Sequence, residues 1–284
     1  MKKVLITGGD SFLANSLYPR LIKDGFIVEK YNRKELDVLN FELLKGVFLS
    51  KYYDAVIHCA AVGGRRNQPD TPENAVLNLK MQENLLFFKS YYNKLFIFDS
   101  GASFDRKESI FLRAENTFTS VPIDNYGFSK YLNTKRASFY NNVINLRIFN
   151  LFGLFEAEDR FIKKSINNYI NKQNIEIFEN KAFDFFSESD LYKVIFHFLN
   201  GGNVSYEEYN CVYQEKKSLL DIAKFINTLS NHMVKIYCDK ESEKNYCASG
   251  EKLNSLKINF NGLEKSIKEI YNTINEQFIE KQNI

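Results

Sequence analysis

Tyr126 and Lys130 stand four residues apart in the stretch Ile123-Asp-Asn-Tyr-Gly-Phe-Ser-Lys130. On a helix that spacing puts both side chains on one face. An ammonium beside a phenol stabilises the phenolate, so the tyrosine can exchange a proton near neutral pH. Such a pair suits acid–base chemistry at a sugar or alcohol carbonyl, provided a hydride carrier lies alongside. Alone the spacing means little, because a chain with 17 tyrosines and many lysines will match it by chance. Its weight depends on a cofactor site and a third catalytic group elsewhere in the chain.

The elements that would position the pair follow from the apolar pattern. Val4–Thr7 reads as a buried strand running into Gly8-Gly-Asp-Ser-Phe-Leu-Ala14, and a helix follows with Leu13, Leu17, Leu21 and Ile22 on one face. Phe26–Val28 is a second strand, the segment through Phe41–Phe48 a helix, and Asp54–Ala61 a third strand. A long helix over Asn74–Tyr91, a strand at Leu95–Phe98, the helix from Tyr126 to about Tyr140 and a strand at Val143–Ile148 continue the alternation. This predicts an α/β fold with a Rossmann-type doubly wound parallel sheet. Helices at 161–171, 190–199, 219–229 and 263–278 and a strand at 175–178 predict a smaller C-terminal α/β region. The expected division is a cofactor-binding domain over 1–154 and a mainly substrate-binding region over 155–284, with about 181–200 interleaved back onto the first.

A dinucleotide site needs small residues where the strand turns, where backbone approaches pyrophosphate and where helix meets sheet. Here those positions fall on Gly8, Ser11 and Ala14, so Thr7, Gly8, Asp10, Ser11, Phe12 and Leu13 are the expected phosphate-loop contacts. After the second strand the turn reads Lys30-Tyr-Asn-Arg-Lys34, with no acid at its tip although Glu29 is close. Asn32 and Arg33 are placed to meet an adenosine 2′-phosphate, which favours NADP(H) over NAD(H). Arg33 and Lys34 also read as a plain solvated turn. Asp37 and Val38 are expected to frame the adenine, and Cys59, Ala60 and Ala61 to border the cofactor at the third strand end. His58 and Cys59 otherwise read as core groups on a buried strand.

Composition excludes several classes. A net charge of +3 without a long basic run argues against nucleic acid as a partner. No stretch approaches 18 continuous apolar residues, so no membrane span is expected. The four cysteines (Cys59, Cys211, Cys238, Cys247) lack metal-type spacing, and the three histidines form no cluster, so no metal site is expected. A reduced, cytoplasmic protein is the expected setting.

In combination the motifs resemble the extended short-chain dehydrogenase/reductases. The resemblance rests on Leu5–Ala14, His58-Cys-Ala-Ala61, the Tyr126–Lys130 pair, Leu146-Arg-Ile-Phe-Asn-Leu-Phe-Gly153 and Lys181-Ala-Phe-Asp-Phe-Phe-Ser-Glu-Ser-Asp190, in that order over roughly residues 1–200. Phe183 stands where arginine is usual. The resemblance implies nucleotide-sugar modification and a Ser or Thr that binds the reacting sugar oxygen. Aligning Ile97–Phe104 puts Ser100 there, with Ser103 as a second candidate. It also implies a structural role for Asn78, a substrate contact at Asn150, and dimerisation through the helices at 74–91 and 126–140. Phe183, Phe185 and Phe186 read as core more than as sugar-stacking groups.

Arg33-Lys-Glu-Leu-Asp37 and Val62-Gly-Gly64 are most similar to the GDP-L-fucose synthase type of GDP-sugar C4 reductase. Gly64, Arg65, Ser100, Ala102 and Asn150 are then the expected substrate-binding residues, with Arg65 and Arg66 also open to a solvated or subunit-contact role. The epimerising members carry a cysteine where this chain has Ala102, and a later histidine; no histidine occurs here between His58 and His197. The resemblance therefore implies an NADPH-dependent C4 ketoreductase without C3/C5 epimerisation, acting on a GDP-linked 4-keto-6-deoxy sugar in capsule or other surface polysaccharide synthesis. Two alternatives stay open: a 4-epimerase holding NAD tightly, and a non-catalytic NADP-binding protein of the same fold.

Overall fold

The computed structural model describes residues 1–64, 69–201 and 206–282. In chain order the first half runs β1 (Lys3–Thr7), α1 (Phe12–Lys23), β2 (Ile27–Tyr31), α2 (Phe41–Ser50), β3 (Tyr53–His58), α3 (Pro72–Phe87), β4 (Tyr92–Ser100), a 3₁₀ turn (Gly101–Phe104), β5 (Ile110–Arg113), α4 (Asn125–Ala137) and β6 (Val143–Ile148). The second half runs β7 (Leu151–Phe152), α5 (Phe161–Ile170), β8 (Ile175–Ile177), β9 (Phe186–Ser187), α6 (Glu188–Asn200), β10 (Glu207–Cys211), α7 (Leu219–Ile226), β11 (Ile236–Cys238), β12 (Tyr246–Ala248), α8 (Glu251–Asn254) and α9 (Leu263–Gln282). The chain divides into two compact units. The first comprises 1–107, 115–148 and 194–210, and the second 108–114, 149–193 and 211–284.

In the first unit the strands lie in the order β10-β6-β4-β3-β1-β2. The pairs β1–β2, β1–β3, β3–β4 and β4–β6 are all parallel. This is the expected Rossmann-type sheet, buried because its strands are near-continuous apolar runs: Val4, Leu5, Ile6, Val56, Ile57 and Leu95 are wholly excluded from water. The chain steps from β1 outward to β2, then crosses to β3 on the other side of β1. That reversal is the switch point where open α/β sheets bind ligands, beyond the carboxyl ends of the strands.

Three boundaries differ from expectation. The first unit gives way to the second after Ile148 rather than Leu154, the returning segment is 194–210 rather than 181–200, and 108–114 belongs to the second unit. The returning segment supplies β10, a sixth strand for the main sheet. Its sequence, Glu-Glu-Tyr-Asn-Cys, has no apolar run, as suits an edge position, and so gave no strand signal.

The second unit has its own core, in which Ile162, Ile166 and Tyr169 of α5 pack with Ile222 and Ile226 of α7 and Ile267 and Tyr271 of α9. Phe185 joins that core, and Phe183 packs on it 5.2 Å from the Phe185 ring, so these aromatics serve packing, as expected. Asp190, wholly buried, accepts hydrogen bonds from Asn261 N and Gly262 N at 2.8 and 3.0 Å and from Tyr213 Oη at 2.7 Å. The carboxylate so anchors the turn that starts α9.

Candidate active site

At the β1–α1 junction the backbone explains the glycines. Gly8 has φ +70°, and a Cβ there would lie 2.4 Å from Ala60 N, so β1 can turn against the end of β3 only without a side chain. A Cβ on Gly9 would lie 2.9 Å from the Tyr31 carbonyl carbon. Ser11 caps α1, its Oγ accepting from Ala14 N at 3.2 Å, and Ala14 is fully buried where helix meets sheet. The three small residues thus keep the close approach that a pyrophosphate at the α1 N-terminus requires, and the residues fit a dinucleotide.

Other expected cofactor residues fall in varied places. Leu13, Cys59, Ala60 and Ala61 line a cavity of about 90 Å³ with His58, Phe98 and Lys130. Thr7 is wholly buried and its Oγ1 lies 2.8 Å from His58 Nδ1, so the hydroxyl is turned inward. Burial, aided by the charge of Lys130, pushes His58 down to about 3, which keeps it neutral. Burial likewise pushes the Cys59 thiol well up, so it is not a thiolate nucleophile. Asp10 is exposed, Phe12 half-buried. Val38 is 3% exposed and its side chain joins the core cluster of Leu36, Leu44 and Phe48.

The turn after β2 bears on cofactor choice. Glu29 accepts from Lys51 Nζ at 2.7 Å, Tyr53 Oη at 2.6 Å and Tyr31 Oη at 3.1 Å. Those bonds hold its carboxylate below its ordinary range despite burial, and keep it occupied within the fold. Asn32 Oδ1 accepts from the N–H groups of Lys34 and Glu35, shaping the turn that presents Arg33. Arg33 is 73% exposed and touches Asp37 Oδ2 at 3.4 Å. The turn after β2 therefore presents an exposed cation, Arg33, beside Asp37, with Glu35 accepting from Asn32 N at 2.9 Å.

At the end of β4, three consecutive residues face three tasks. The Phe98 carbonyl accepts from Lys130 Nζ at 2.6 Å, Asp99 is buried in an ion pair, and Ser100 opens the 3₁₀ turn with Oγ accepting from Ala102 N at 3.2 Å. Tyr126 and Lys130 lie on α4, as expected, with Lys130 Nζ 5.7 Å from the Tyr126 ring centre. Asp124 precedes and caps α4, its carboxylate accepting from Gly127 N at 2.8 Å. Gly127 lets α4 press on the Ser100 turn, since a Cβ there would lie 2.8 Å from the Ala102 carbonyl oxygen. Gly64 does the same for the tyrosine ring, its φ being +75° and its absent Cβ site only 2.6 Å from Tyr126 Cε2. Asn78 clamps the approach to that glycine, accepting from Val62 N at 2.9 Å and donating to Val62 O at 2.8 Å.

The two serine candidates separate. Ser103 is wholly buried, with Oγ 2.9 Å from Asp99 Oδ2 and 2.8 Å from the Ser100 carbonyl, whereas Ser100 keeps 9% exposure. Ala102 is buried in the 3₁₀ turn, two residues beyond Ser100. Asn150 belongs to the second unit; its Oδ1 accepts from Arg160 and its carbonyl from Phe186 N. Arg65 and Arg66 lie outside the described residues. Among the described residues no cluster of His, Cys, Asp or Glu could hold a metal ion, and no helix is long and apolar enough to cross a membrane.

Residues 4–211 match the profile of the NAD dependent epimerase/dehydratase family. The chain belongs to that family. Among curated family relatives, Protein CapI of Staphylococcus aureus is 22% identical over 291 residues, covering 86% of each chain. Among solved structures, a GDP-L-fucose synthetase from Naegleria fowleri bound to NADP superposes with a TM-score of 0.80 at 17% identity, over 98% of this chain and 93% of that one. A UDP-glucose 4-epimerase from Thermotoga maritima with UDP-glucose gives 0.79 at 16%, over 97% and 99%. At such identities these structures establish the shared fold, and the family sets an NAD(P)-dependent enzyme as its context.

Proposed function

We propose that this epimerase/dehydratase-family protein is an NADPH-dependent ketoreductase acting at C4 of a nucleotide-linked, GDP-linked for preference, 4-keto-6-deoxy sugar. The observation that carries the reading is the placement of Ser100, Tyr126 and Lys130 at one end of the sheet, with Gly127 letting α4 meet the Ser100 turn and Gly64 lying against the Tyr126 ring. Ala60, Ala61 and Lys130 would hold a reduced nicotinamide, whose chemistry would be hydride donation. Ser100 Oγ donates a hydrogen bond to the ketone oxygen and Tyr126 Oη gives that oxygen its proton. Lys130, held by the Phe98 carbonyl, contributes a fixed positive charge beside the ring and hydroxyl-binding capacity for the nicotinamide ribose. Orientation and acid catalysis together lower the barrier.

Arg33 at the β2 tip, with Glu29 occupied elsewhere, supports NADP over NAD. Arg33→Ala should weaken NADPH binding about 10-fold or more while leaving NADH binding within about twofold, as measured by nucleotide fluorescence titration. Ala102 in the place of the epimerising cysteine, and a sequence with no histidine between His58 and His197, support reduction without epimerisation at C3 and C5. CapI and the GDP-L-fucose synthetase fit a place in surface polysaccharide synthesis. The exposed Val76, Phe87 and Phe139 on and just beyond α3 and α4 fit a homodimer through those helices, which sedimentation would test. The site is tested by Tyr126→Phe, expected to lower turnover about 10²–10⁴-fold with NADPH affinity unchanged. Near-full activity in that variant would overturn the assignment.

A further inference from the structure

Beneath Ser100 lies a buried charged cluster that the reaction scheme does not use. Arg147 of β6 has no exposure, and its Nε donates to Asp99 Oδ2 at 2.6 Å and reaches Ser103 Oγ at 3.2 Å. Nη1 donates to the Glu115 carbonyl and to Asn210 Oδ1, both at 3.0 Å, and Nη2 lies 3.5 Å from Glu208 Oε2. The Phe104 ring covers the guanidinium at 4.4 Å. Well-packed apolar residues often match or exceed a buried ion pair in stability, so stability alone does not account for an arginine here.

Geometry supplies a reason. Ser103 Oγ is within hydrogen-bond reach of two acceptors, Asp99 Oδ2 at 2.9 Å and the Ser100 carbonyl at 2.8 Å, yet a hydroxyl has one proton. Asp99 Oδ2 already receives the shorter, charge-assisted bond from Arg147. Ser103 Oγ is thus shared between Asp99 and the Ser100 carbonyl, and Arg147 Nε, bonded to Asp99 and 3.2 Å from the same hydroxyl oxygen, fixes where that hydroxyl sits. We propose that Arg147, acting through Asp99 and Ser103, is a positioning residue that fixes the Ser100 turn and so aims the Ser100 hydroxyl. This rests on the reading of Ser100 as the group that binds the reacting oxygen. Without Arg147, Asp99 and the Ser103 hydroxyl lose the group that fixes them, the hold on the Ser100 carbonyl weakens, and the turn loosens while Tyr126 and Lys130 stay in place on α4.

A double-mutant cycle tests the idea, using the full chain with NADPH and a GDP-linked 4-keto-6-deoxyhexose. Ser103→Ala should lower kcat about 10-fold with KM and NADPH affinity within about twofold, since only orientation is lost. In a Ser100→Ala background the same change should cost nothing more, because the group it positions is gone. The Ser103→Ala crystal structure should show the Ser100 carbonyl rotated with α4 unmoved, and Arg147→Met should do likewise if it folds. Wild-type kcat in Ser103→Ala, or losses that add in the double variant, overturn the proposal. Full activity in Ser100→Ala overturns it together with the assignment of Ser100, whereas a deep loss there beside an active Ser103→Ala overturns the positioning role alone.

Discussion

Each of the three proposed catalytic side chains is held by a neighbour whose identity matters as much as its own. Lys130 depends on the Phe98 carbonyl, Ser100 on the Ser103 hydroxyl, and the Tyr126 ring on the bare backbone of Gly64. Gly64→Ala would need the left-handed region, at a cost of about 1–2 kcal/mol, and would push its methyl into the ring. The expected outcome is a small fall in thermal stability and a larger fall in kcat, measured on the same preparation. The Tyr126–Lys130 pair was legible in the sequence because both residues sit on one helix, where spacing alone fixes the face. The Asp99–Arg147 pair was not, since it depends on the register of β4 against β6, in which Asp99 faces Arg147. The burial of Val38 and Ala102 was not legible either, since a loop position in sequence carries no sign of whether its side chain points inward.

At the level of elements, α4 and the turn after β4 form one catalytic wall because Gly127 lets them touch. Gly127→Ala should drive the two apart and lower kcat, while the helix itself gains propensity; circular dichroism beside kinetics would separate the effects. Most elements of the first unit followed from apolar periodicity, though β4 is longer than Leu95–Phe98 and α3 ends before Tyr91, where a 3₁₀ turn over Lys89–Tyr91 intervenes. Short pairs such as β5–β12 and β8–β11 carry too few residues for any period to show.

In the second unit, the loop before α5 holds Glu156, which is 6% exposed with Oε1 lacking a hydrogen bond. Burial raises its carboxyl to about 8, against the opposing charges of Arg160 and Lys163. An unfolded glutamate ionises near 4.5, so between that pH and about 8 the unfolded state has released a proton that the folded state keeps. Stability from this group is therefore fully present below the unfolded value and falls as pH rises toward 8. Glu156→Gln should match the parent below pH 4.5 and exceed it increasingly up to pH 8, by on the order of a few kcal/mol in urea unfolding. A difference that stays flat across this window would show that the carboxyl ionises normally.

At the scale of the whole molecule, the family match runs from β1 through β10, the same span that builds the dinucleotide sheet. Residues 155–180 and 200–284, the expected source of sugar and nucleotide specificity, carry no recognisable motif in the sequence. The core of the second unit is a set of ordinary apolar contacts, aliphatic and aromatic, among α5, α7 and α9, and those position loops without marking them. The reaction class is for that reason better tested than the substrate name. The most direct measurement is turnover of NADPH with a GDP-linked 4-keto-6-deoxyhexose in D₂O, followed by NMR of the product. A simple C4 reduction predicts NADPH consumption, hydrogen from the cofactor at C4, and no deuterium at C3 or C5. Deuterium at either carbon, or product formed without net NADPH consumption, would contradict it.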